Sequence, residues 1–223
     1  MEQIGLLHDG QIYDLQTAEA LNIKGDIIKA DDSKESLEIL RHSCAHMMAQ
    51  AIKELYPEAK FFVGPVVKEG FYYDFKVESK ISDEDLPTIE KKMKEIADRK
   101  LPITRYETTK EEFYEKFKND ELKQAVLKNI KDDTLTIYKQ GDFEDLCRGP
   151  HLPNTRMIRS FKLTRVAGAY LGGDEKNEMI TRIYGIAFFD KQALFDYTKM
   201  IEEAKKRDHR KLGTELELFT FND

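Results

Sequence analysis

The sequence predicts an α+β fold, in which a mixed but mostly antiparallel sheet packs against helices. Three observations lead to this prediction. Apolar residues recur at three- and four-residue steps in some segments, as in helices, and alternate with polar residues in others, as in strands. Asp9-Gly10 lies between two short alternating segments, which is a hairpin signal. Two glycine-rich segments, 161–173 and 179–189, are predicted to be a further pair of strands.

The N-terminal part of the chain is predicted to combine a short sheet with a long helix. Residues 1–30 form a small β-rich segment around the hairpin. Asp32 and Glu35 fit a capping pair at the start of an amphipathic helix, and Pro57 ends that helix. The apolar positions of this helix are Leu37, Leu40, Cys44, Met47, Ala51 and Leu55.

Residues 60–77 are predicted to form two strands joined by a Lys-Glu-Gly turn. Their apolar face carries Phe71, Tyr73, Phe75 and Val77. Two further helices are each opened by a capping pair, and these pairs are Ser82 with Asp85 and Thr109 with Glu112. The remaining predicted segments are a helix over 121–130, a strand over 134–141, a loop over 142–155 and a helix from Lys191 to about Leu212.

The composition is typical of a soluble globular protein, with 40% hydrophobic and 35% charged residues. A net charge of −6 disfavours a dedicated nucleic-acid binder, although lysine and arginine cluster at 91–100 and 204–211. These clusters are either solvated helix faces or local contacts for nucleic acid. No apolar run approaches a membrane span, and neither a secretory signal nor a disulfide framework is evident. We therefore expect a cytoplasmic protein.

Four side chains that can carry chemistry lie in two short stretches. RHSCAH places His42 and His46 four residues apart, on one side of the helix and nearly opposite its apolar stripe. CRGPHLPNTR places Cys147 and His151 four residues apart, beside a Gly-Pro turn. Three imidazoles and a thiolate suit zinc, and histidines in a polar cleft equally suit acid–base hydrolysis. A shared site is expected, whereas Cys44 is expected in the core.

Several longer stretches, in this order and spacing, resemble the N-terminal editing region of bacterial threonyl-tRNA synthetases. They are RHSCAHMMAQAIKELYP, VGPVVKEGFYYDF, DLCRGPHLPNT, KLTRVAGAYLGGDEKN, RIYGIAF and EEAKKRDHRKLG. The resemblance runs from about Leu37 to the C-terminus. It implies the fold of the threonyl and alanyl editing-domain class and hydrolysis of serine wrongly esterified to threonine's tRNA. In alanyl-type editing domains the four His/His/Cys/His positions hold zinc, whereas the threonyl family is thought to need no metal there.

The resemblance also implies roles for individual residues. The residues of the hydrolytic pocket are His42, His46, Lys123, Cys147 and His151. Those that contact the substrate are Gly64, Tyr73 and Asp145. His42 or Lys123 takes the proton of the attacking water or positions that water, and Cys147 limits the size of the pocket. Four of these residues also have an interpretation without a role in the site. Lys123 would be a surface helix residue, Tyr73 a core aromatic, Gly64 a turn residue and Asp145 a solvated acid.

The same resemblance suggests how the chain is organised. Residues 1–34 are expected to be a reduced or missing ubiquitin-like domain, 35–190 the editing domain, and 191–223 a linker helix toward an absent aminoacylation domain. ATP and the catalytic zinc belong to that absent domain, so this chain is not expected to charge tRNA. Its expected partner is the acceptor end of tRNA(Thr) carrying serine, without a membrane. The chain is expected to be a monomer or a weak dimer, and the full-length enzyme a homodimer.

Two other functions remain open from the sequence. One is a free-standing alanyl-type, zinc-dependent hydrolase of another mischarged tRNA. The other is a non-catalytic module, stabilised by zinc, that only binds a tRNA end. A chelator would unfold the second kind of protein, because structural zinc supplies folding free energy. His8 and His209 are expected to lie outside the site.

Overall fold

A computed structural model, which describes residues 1–215 and the side chains of 1–204, 206 and 207, has three antiparallel sheets and six α-helices in that part of the chain. The predicted α+β fold is thus confirmed. All paired strands run antiparallel. No helix among the described residues is long and apolar enough to cross a membrane.

The N-terminal segment folds as a small sheet with one short helix. Its elements are β1 (Gln3–His8), β2 (Gln11–Asp14), α1 (Leu15–Ala20) and β3 (Asp26–Lys29), in the strand order β2-β1-β3. The predicted hairpin is confirmed, with φ values of 50° at Asp9 and 76° at Gly10. Ile4 and Ile28 belong to the main hydrophobic cluster of the protein, so the segment packs on the rest of the fold rather than standing apart.

Helix α2 (Lys34–Leu55) lies at the centre of the molecule. It was expected to be amphipathic, but fourteen of its 22 residues are buried because helix α3 and strands of all three sheets pack around it. The predicted cap of this helix is also wrong. The N-cap is Ser33, and the Asp32 carboxylate instead accepts the backbone N–H groups of Phe189 and Asp190.

The largest sheet covers one side of α2. Its strands are β4 (Lys60–Phe61), β5 (Val66–Val67), β6 (Gly70–Lys76), β10 (Ser160–Tyr170) and β11 (Met179–Phe188). The order is β10-β11-β6-β4, with β5 also paired to β6, so the predicted Lys-Glu-Gly turn and the glycine-rich strand pair are confirmed. Phe71, Tyr73 and Phe75 are buried on the face that packs toward the core.

The third sheet lies on another side of α2. Its strands are β7 (Ile103–Thr109), β8 (Thr134–Gln140) and β9 (Phe143–Leu146), in the order β7-β8-β9. The predicted loop over 142–155 therefore begins with a strand, because Phe143 and Asp145 turn into the protein interior while the backbone pairs with β8. A short alternating run of four residues is a weak strand signal, and the sequence prediction missed it.

The remaining helices follow the predicted capping pairs. They are α3 (Leu86–Asp98), α4 (Lys110–Lys116), α5 (Glu121–Lys128) and α6 (Lys191–Glu215). Both predicted capping boxes are present, although the box at Ser82 and Asp85 opens a 3-10 turn that leads into α3. The side chain of His209 and most of the basic cluster at 204–211 lie outside the described side chains.

Gly70 lets strand β6 lie close to strand β11 at the centre of the large sheet. A Cβ at this position would collide with the backbone carbonyl oxygen of Gly185 on β11, which cannot move without disturbing the sheet. We expect Gly70→Ala to lower the free energy of unfolding by about 1–3 kcal/mol, the usual effect of overpacking. Urea denaturation measures this. The exposed helix substitution Thr88→Ala is the control, and equal stability of both variants would contradict the assignment.

Candidate active site

The structure brings the two chemistry-bearing stretches together. His42 and His46 project from α2, and Cys147 and His151 come from the loop after β9. One potential metal-ligand atom of each lies within 4.8 Å of the others. His46 and His151 are buried, whereas His42 and Cys147 are half-buried, so the cluster is accessible from their side. Cys44 is fully buried in the core, as expected.

The backbone around the cluster determines which nitrogen of His42 carries a proton. Nδ1 of His42 lies 3.2 Å from the carbonyl oxygen of Pro150. A carbonyl oxygen only accepts hydrogen bonds, so this nitrogen is the donor and Nε2 keeps its lone pair. That Nε2 lies 3.2 Å from Sγ of Cys147.

Ser43 determines which ring nitrogen of His151 carries a proton. Its hydroxyl donates to the carbonyl oxygen of Ile39 at 3.0 Å and accepts the backbone N–H of Leu152 at 2.8 Å. Because the single hydroxyl proton is used, Nδ1 of His151, at 3.1 Å, donates to Ser43. Nε2 of His151 therefore also directs a lone pair at Sγ of Cys147, at 3.2 Å.

Burial keeps the whole cluster uncharged at neutral pH. It lowers the pKa of His42 to about 4 and the pKa of His46 and His151 well below the usual range. Burial also raises the pKa of the Cys147 thiol, although the N–H of Gly149 donates to its sulfur at 3.1 Å. One thiol proton can satisfy only one of the two facing imidazole nitrogens. The other lone pair is left for a water molecule or a metal ion.

These residues can hold a metal ion. Three neutral imidazoles and one sulfur form a donor set that suits zinc. With bonds of about 2.0–2.3 Å, a tetrahedral zinc ion holds nitrogen and sulfur ligands about 3.5 Å apart. Nε2 of His42 and Nε2 of His151 each lie 3.2 Å from Sγ of Cys147. The Nδ1–H bonds of His42 to Pro150 and of His151 to Ser43 are the kind of outer contact that orients metal-ligating histidines.

The Cys147–His151 loop needs glycine at position 149. Gly149 has φ of +73° and precedes a cis peptide bond to Pro150. A Cβ there would lie 2.5 Å from the hydroxyl of Tyr138 and 2.8 Å from the carboxylate of Asp14. Sequence reasoning missed Asp14, Tyr138 and Ser43. Only Asp14 left a signal, because it stands directly before α1 and caps it.

A second polar group lies beside the cluster. Lys123 on α5 and Tyr73 on β6 both donate to the carboxylate of Asp145, and all three side chains are at most 4% exposed. The rings of Tyr73 and His46 are 6.1 Å apart. Burial lowers the pKa of Lys123 to about 8 and raises the pKa of Asp145. The expected alternatives of a surface lysine and a solvated acid are therefore wrong.

Gly64 packs against the same group, and His8 lies apart from it. A Cβ at Gly64 would collide with the ring of Tyr73, so glycine lets the chain cover this aromatic ring. His8 is half exposed and lies 3.4 Å from the carboxylate of its neighbour Asp9. The structure thus assembles all eight sequence-predicted site residues around two adjoining groups and leaves His8 outside them.

The lowered pKa values of the clustered histidines predict a loss of stability in acid. The unfolded chain binds a proton at each histidine as the pH falls through about 6.5, whereas His42 in the folded chain does not until about pH 4. The free energy of unfolding should therefore fall from pH 7 to pH 5, with about 2 kcal/mol from His42. Urea titrations at the two pH values measure this. His42→Asn should reduce the pH dependence, whereas His8→Ala should not, and equal slopes would contradict the burial argument.

Lys123 and Asp145 predict a strong energetic coupling. Either Lys123→Met or Asp145→Asn leaves a buried polar partner unmatched, which typically costs about 3–5 kcal/mol of stability. The double variant should cost clearly less than the sum, because no unpaired charge remains. A double-mutant cycle by denaturation measures the coupling. The exposed pair of Arg159 with Asp98 is the control, where about 0–1 kcal/mol is expected. Additive effects at Lys123 and Asp145 would contradict a buried ion pair.

Comparison with known proteins agrees with the resemblance seen in the sequence. The family described as "Threonyl and Alanyl tRNA synthetase second additional domain" matches residues 135–184, which include Asp145, Cys147 and His151. Over 222 residues, 100% of this chain and 36% of the relative, identity to a threonine–tRNA ligase of Campylobacter jejuni is 67%. Identity to that of Helicobacter hepaticus is 65%, over 100% of this chain and 37% of the relative. Identity to the threonine–tRNA ligase of Nautilia profundicola is 65%, over 99% of this chain and 36% of the relative.

The chain spans just over a third of the length of these curated relatives. Its matched residues nevertheless run through all three sheets and include every candidate site residue. The chain is therefore homologous, along its whole length, to a part of the threonine–tRNA ligases, and its residues 135–184 match the second additional domain of threonyl- and alanyl-tRNA synthetases.

Proposed function

We propose that this chain hydrolyses the ester of tRNA(Thr) wrongly charged with serine. The observation that carries this proposal is the convergence of two imidazole lone pairs on Cys147, beside the buried Lys123–Asp145–Tyr73 group. This arrangement supplies a proton acceptor, a cation and a confined wall within one partly accessible site. Ester hydrolysis needs these three elements.

The relatives explain why serine is the proposed amino acid. Serine lacks one methyl group of threonine, and a missing methylene group is worth only about 1–3 kcal/mol in a binding pocket. A ligase that handles threonine therefore accepts some serine at its first site. A second site that excludes the larger amino acid and hydrolyses the smaller one supplies the remaining discrimination. Cys147 and Tyr73, the latter packed on Gly64, form the walls that would set this size limit.

His42 is the proposed proton acceptor. Its Nε2 is unprotonated at neutral pH and its side chain is only half-buried, whereas the thiol proton of Cys147 is available to the buried His151. A water held by Nε2 attacks the ester carbonyl carbon and gives its proton to His42. The oxyanion then collapses and expels the ribose oxygen, which takes that proton from His42. The products are free serine and uncharged tRNA.

Lys123 is the proposed stabiliser of the oxyanion. Asp145 holds its ammonium group, and Tyr73 and the N–H of Leu146 occupy the other acceptor positions of that carboxylate. A cation fixed in a poorly solvated site stabilises developing negative charge more strongly than one in water. Cys147 does not serve as a nucleophile, because burial raises its pKa and so keeps it a thiol.

Zinc is compatible with the site, but the proposed hydrolysis does not require it. His42, His46, Cys147 and His151 would hold the ion. When bound, zinc lowers the pKa of a bound water and polarises carbonyl groups. A second candidate function follows from the same donor set, in which zinc only stabilises a module that binds the tRNA end. The two candidates differ in whether the chain hydrolyses the ester and whether a chelator unfolds it.

We further propose how this chain serves the longer protein. Residues 35–190 form the editing domain, with 1–34 before it and residues 191–223 leading toward an aminoacylation domain. In the complete enzyme that domain would join threonine to tRNA(Thr) with ATP and its own zinc. The complete enzyme is proposed to be a cytoplasmic homodimer. An alanyl-type free-standing hydrolase is less well supported, because the full-length matches reported above are threonine–tRNA ligases.

Deacylation of purified Ser-tRNA(Thr) tests the proposed function. We expect the chain to release serine, and to release threonine from Thr-tRNA(Thr) at least about tenfold more slowly. His42→Ala should reduce the rate by about 10²–10⁴-fold, the usual contribution of acid–base catalysis, while the matched control His8→Ala should not. A chelator should leave both rate and fold unchanged.

Three outcomes would contradict this account. Hydrolysis of both esters at equal rates would remove the proposed selectivity. An unchanged rate in His42→Ala would remove its proposed proton acceptor. Binding of tRNA without hydrolysis, together with unfolding by the chelator, would instead establish the zinc-stabilised module.

A further inference from the structure

One side chain of the N-terminal segment reaches the candidate site. Asp14 ends β2, caps α1 and is only 2% exposed. Its Oδ1 accepts the backbone N–H of Thr17 at 2.7 Å, which is the ordinary task of a helix cap. Its Oδ2 points the other way, toward residues more than a hundred positions later in the chain.

Oδ2 of Asp14 accepts two hydrogen bonds from the site. The Tyr138 hydroxyl donates to it at 2.5 Å, and the backbone N–H of His151 donates at 3.0 Å. The next amide, that of Leu152, donates to Ser43 on α2. The backbone amides of His151 and Leu152 thus donate to two different elements, the first to the N-terminal segment and the second to helix α2.

The segment that carries Asp14 is itself fixed to the third sheet. The side-chain amide of Gln16 donates to the carbonyl oxygen of Ile103 at 2.6 Å and accepts the N–H of Arg105 at 2.7 Å. The Thr17 hydroxyl lies 3.0 Å from that of Tyr138. These contacts leave α1 little freedom to move relative to β7 and β8, so Asp14 presents its carboxylate at a defined place.

We propose that Asp14 is a positioning residue for hydrolysis and acts through His151. By holding the backbone of His151, it lets the imidazole donate from Nδ1 to Ser43 and direct Nε2 at Cys147. That sulfur in turn faces the proposed proton acceptor His42. The proposal rests on the proposed function for its kinetic consequence, and it gives the N-terminal segment a task in the site.

Asp14→Asn separates this task from simple packing. An asparagine has the same shape but only one acceptor oxygen, and its NH₂ group can only donate. If the oxygen faces Thr17, the N–H of His151 meets a donor. If it faces His151, the N–H of Thr17 meets a donor. In either orientation one backbone amide loses its partner, while the volume of the side chain is unchanged.

Two measurements on the full chain test the proposal. In Asp14→Asn, kcat for Ser-tRNA(Thr) should fall by about 10–100-fold, the usual effect of losing an outer contact of a site histidine, while KM changes by less than about twofold. In ¹⁵N-histidine spectra, the wild-type His151 ring should be the Nδ1–H tautomer, and Asp14→Asn should shift it toward a mixture. The matched control Asp9→Asn changes the same charge at an exposed residue of the same segment and should alter neither result.

The histidine spectra test whether Asp14 positions His151, and they do so independently of catalysis. If the wild type hydrolyses nothing, the proposed function fails, but the tautomer shift in Asp14→Asn still tests the positioning. An unchanged His151 ring in a folded Asp14→Asn chain would overturn the proposal, as would equal losses in Asp9→Asn. If Asp14→Asn does not fold, exchange of the His151 amide in the wild type decides. Slow exchange supports the bond to Asp14, and exchange as fast as an exposed amide overturns it.

Discussion

The attachment of the Cys147–His151 loop to helix α2 is the constraint on which the site depends. Ser43 makes this attachment with one hydroxyl, which donates within the helix and accepts both the Leu152 amide and Nδ1 of His151. Because every hydrogen-bonding position of that hydroxyl is used, the loop, the tautomer of His151 and the direction of its lone pair are fixed together. The sheets around α2 exclude water from this contact, which makes the arrangement costly to rearrange.

Burial gives the site its chemical character. The same desolvation that keeps the three imidazoles neutral also keeps Cys147 a thiol, so the cluster presents lone pairs rather than charges. The adjoining group contributes the hydrogen-bonded Lys123–Asp145 pair. The proposed ester hydrolysis would draw on both groups, with a proton acceptor from one and a cation from the other.

Local signals in the sequence were sufficient for much of the fold. The Asp9-Gly10 hairpin and the capping box at Thr109 depend on neighbouring residues only, and the i, i+4 spacing placed His42 beside His46. The environment of α2 could not be predicted, because its polar face is covered by parts of the chain far away in sequence. For the same reason Lys123 gave no sign that it is buried. Ser43 and Asp14 were missed because a serine inside a helix and an aspartate before one have common local explanations.

The central claim is that the histidine–cysteine cluster and the Lys123 group form one hydrolytic site. A crystal structure with a stable seryl amide of the terminal adenosine tests it most directly, because the amide mimics the ester without being cleaved. We expect the carbonyl carbon to lie within reach of a water held by Nε2 of His42, and the carbonyl oxygen to face the ammonium group of Lys123. A ligand bound away from both residues would contradict the claim.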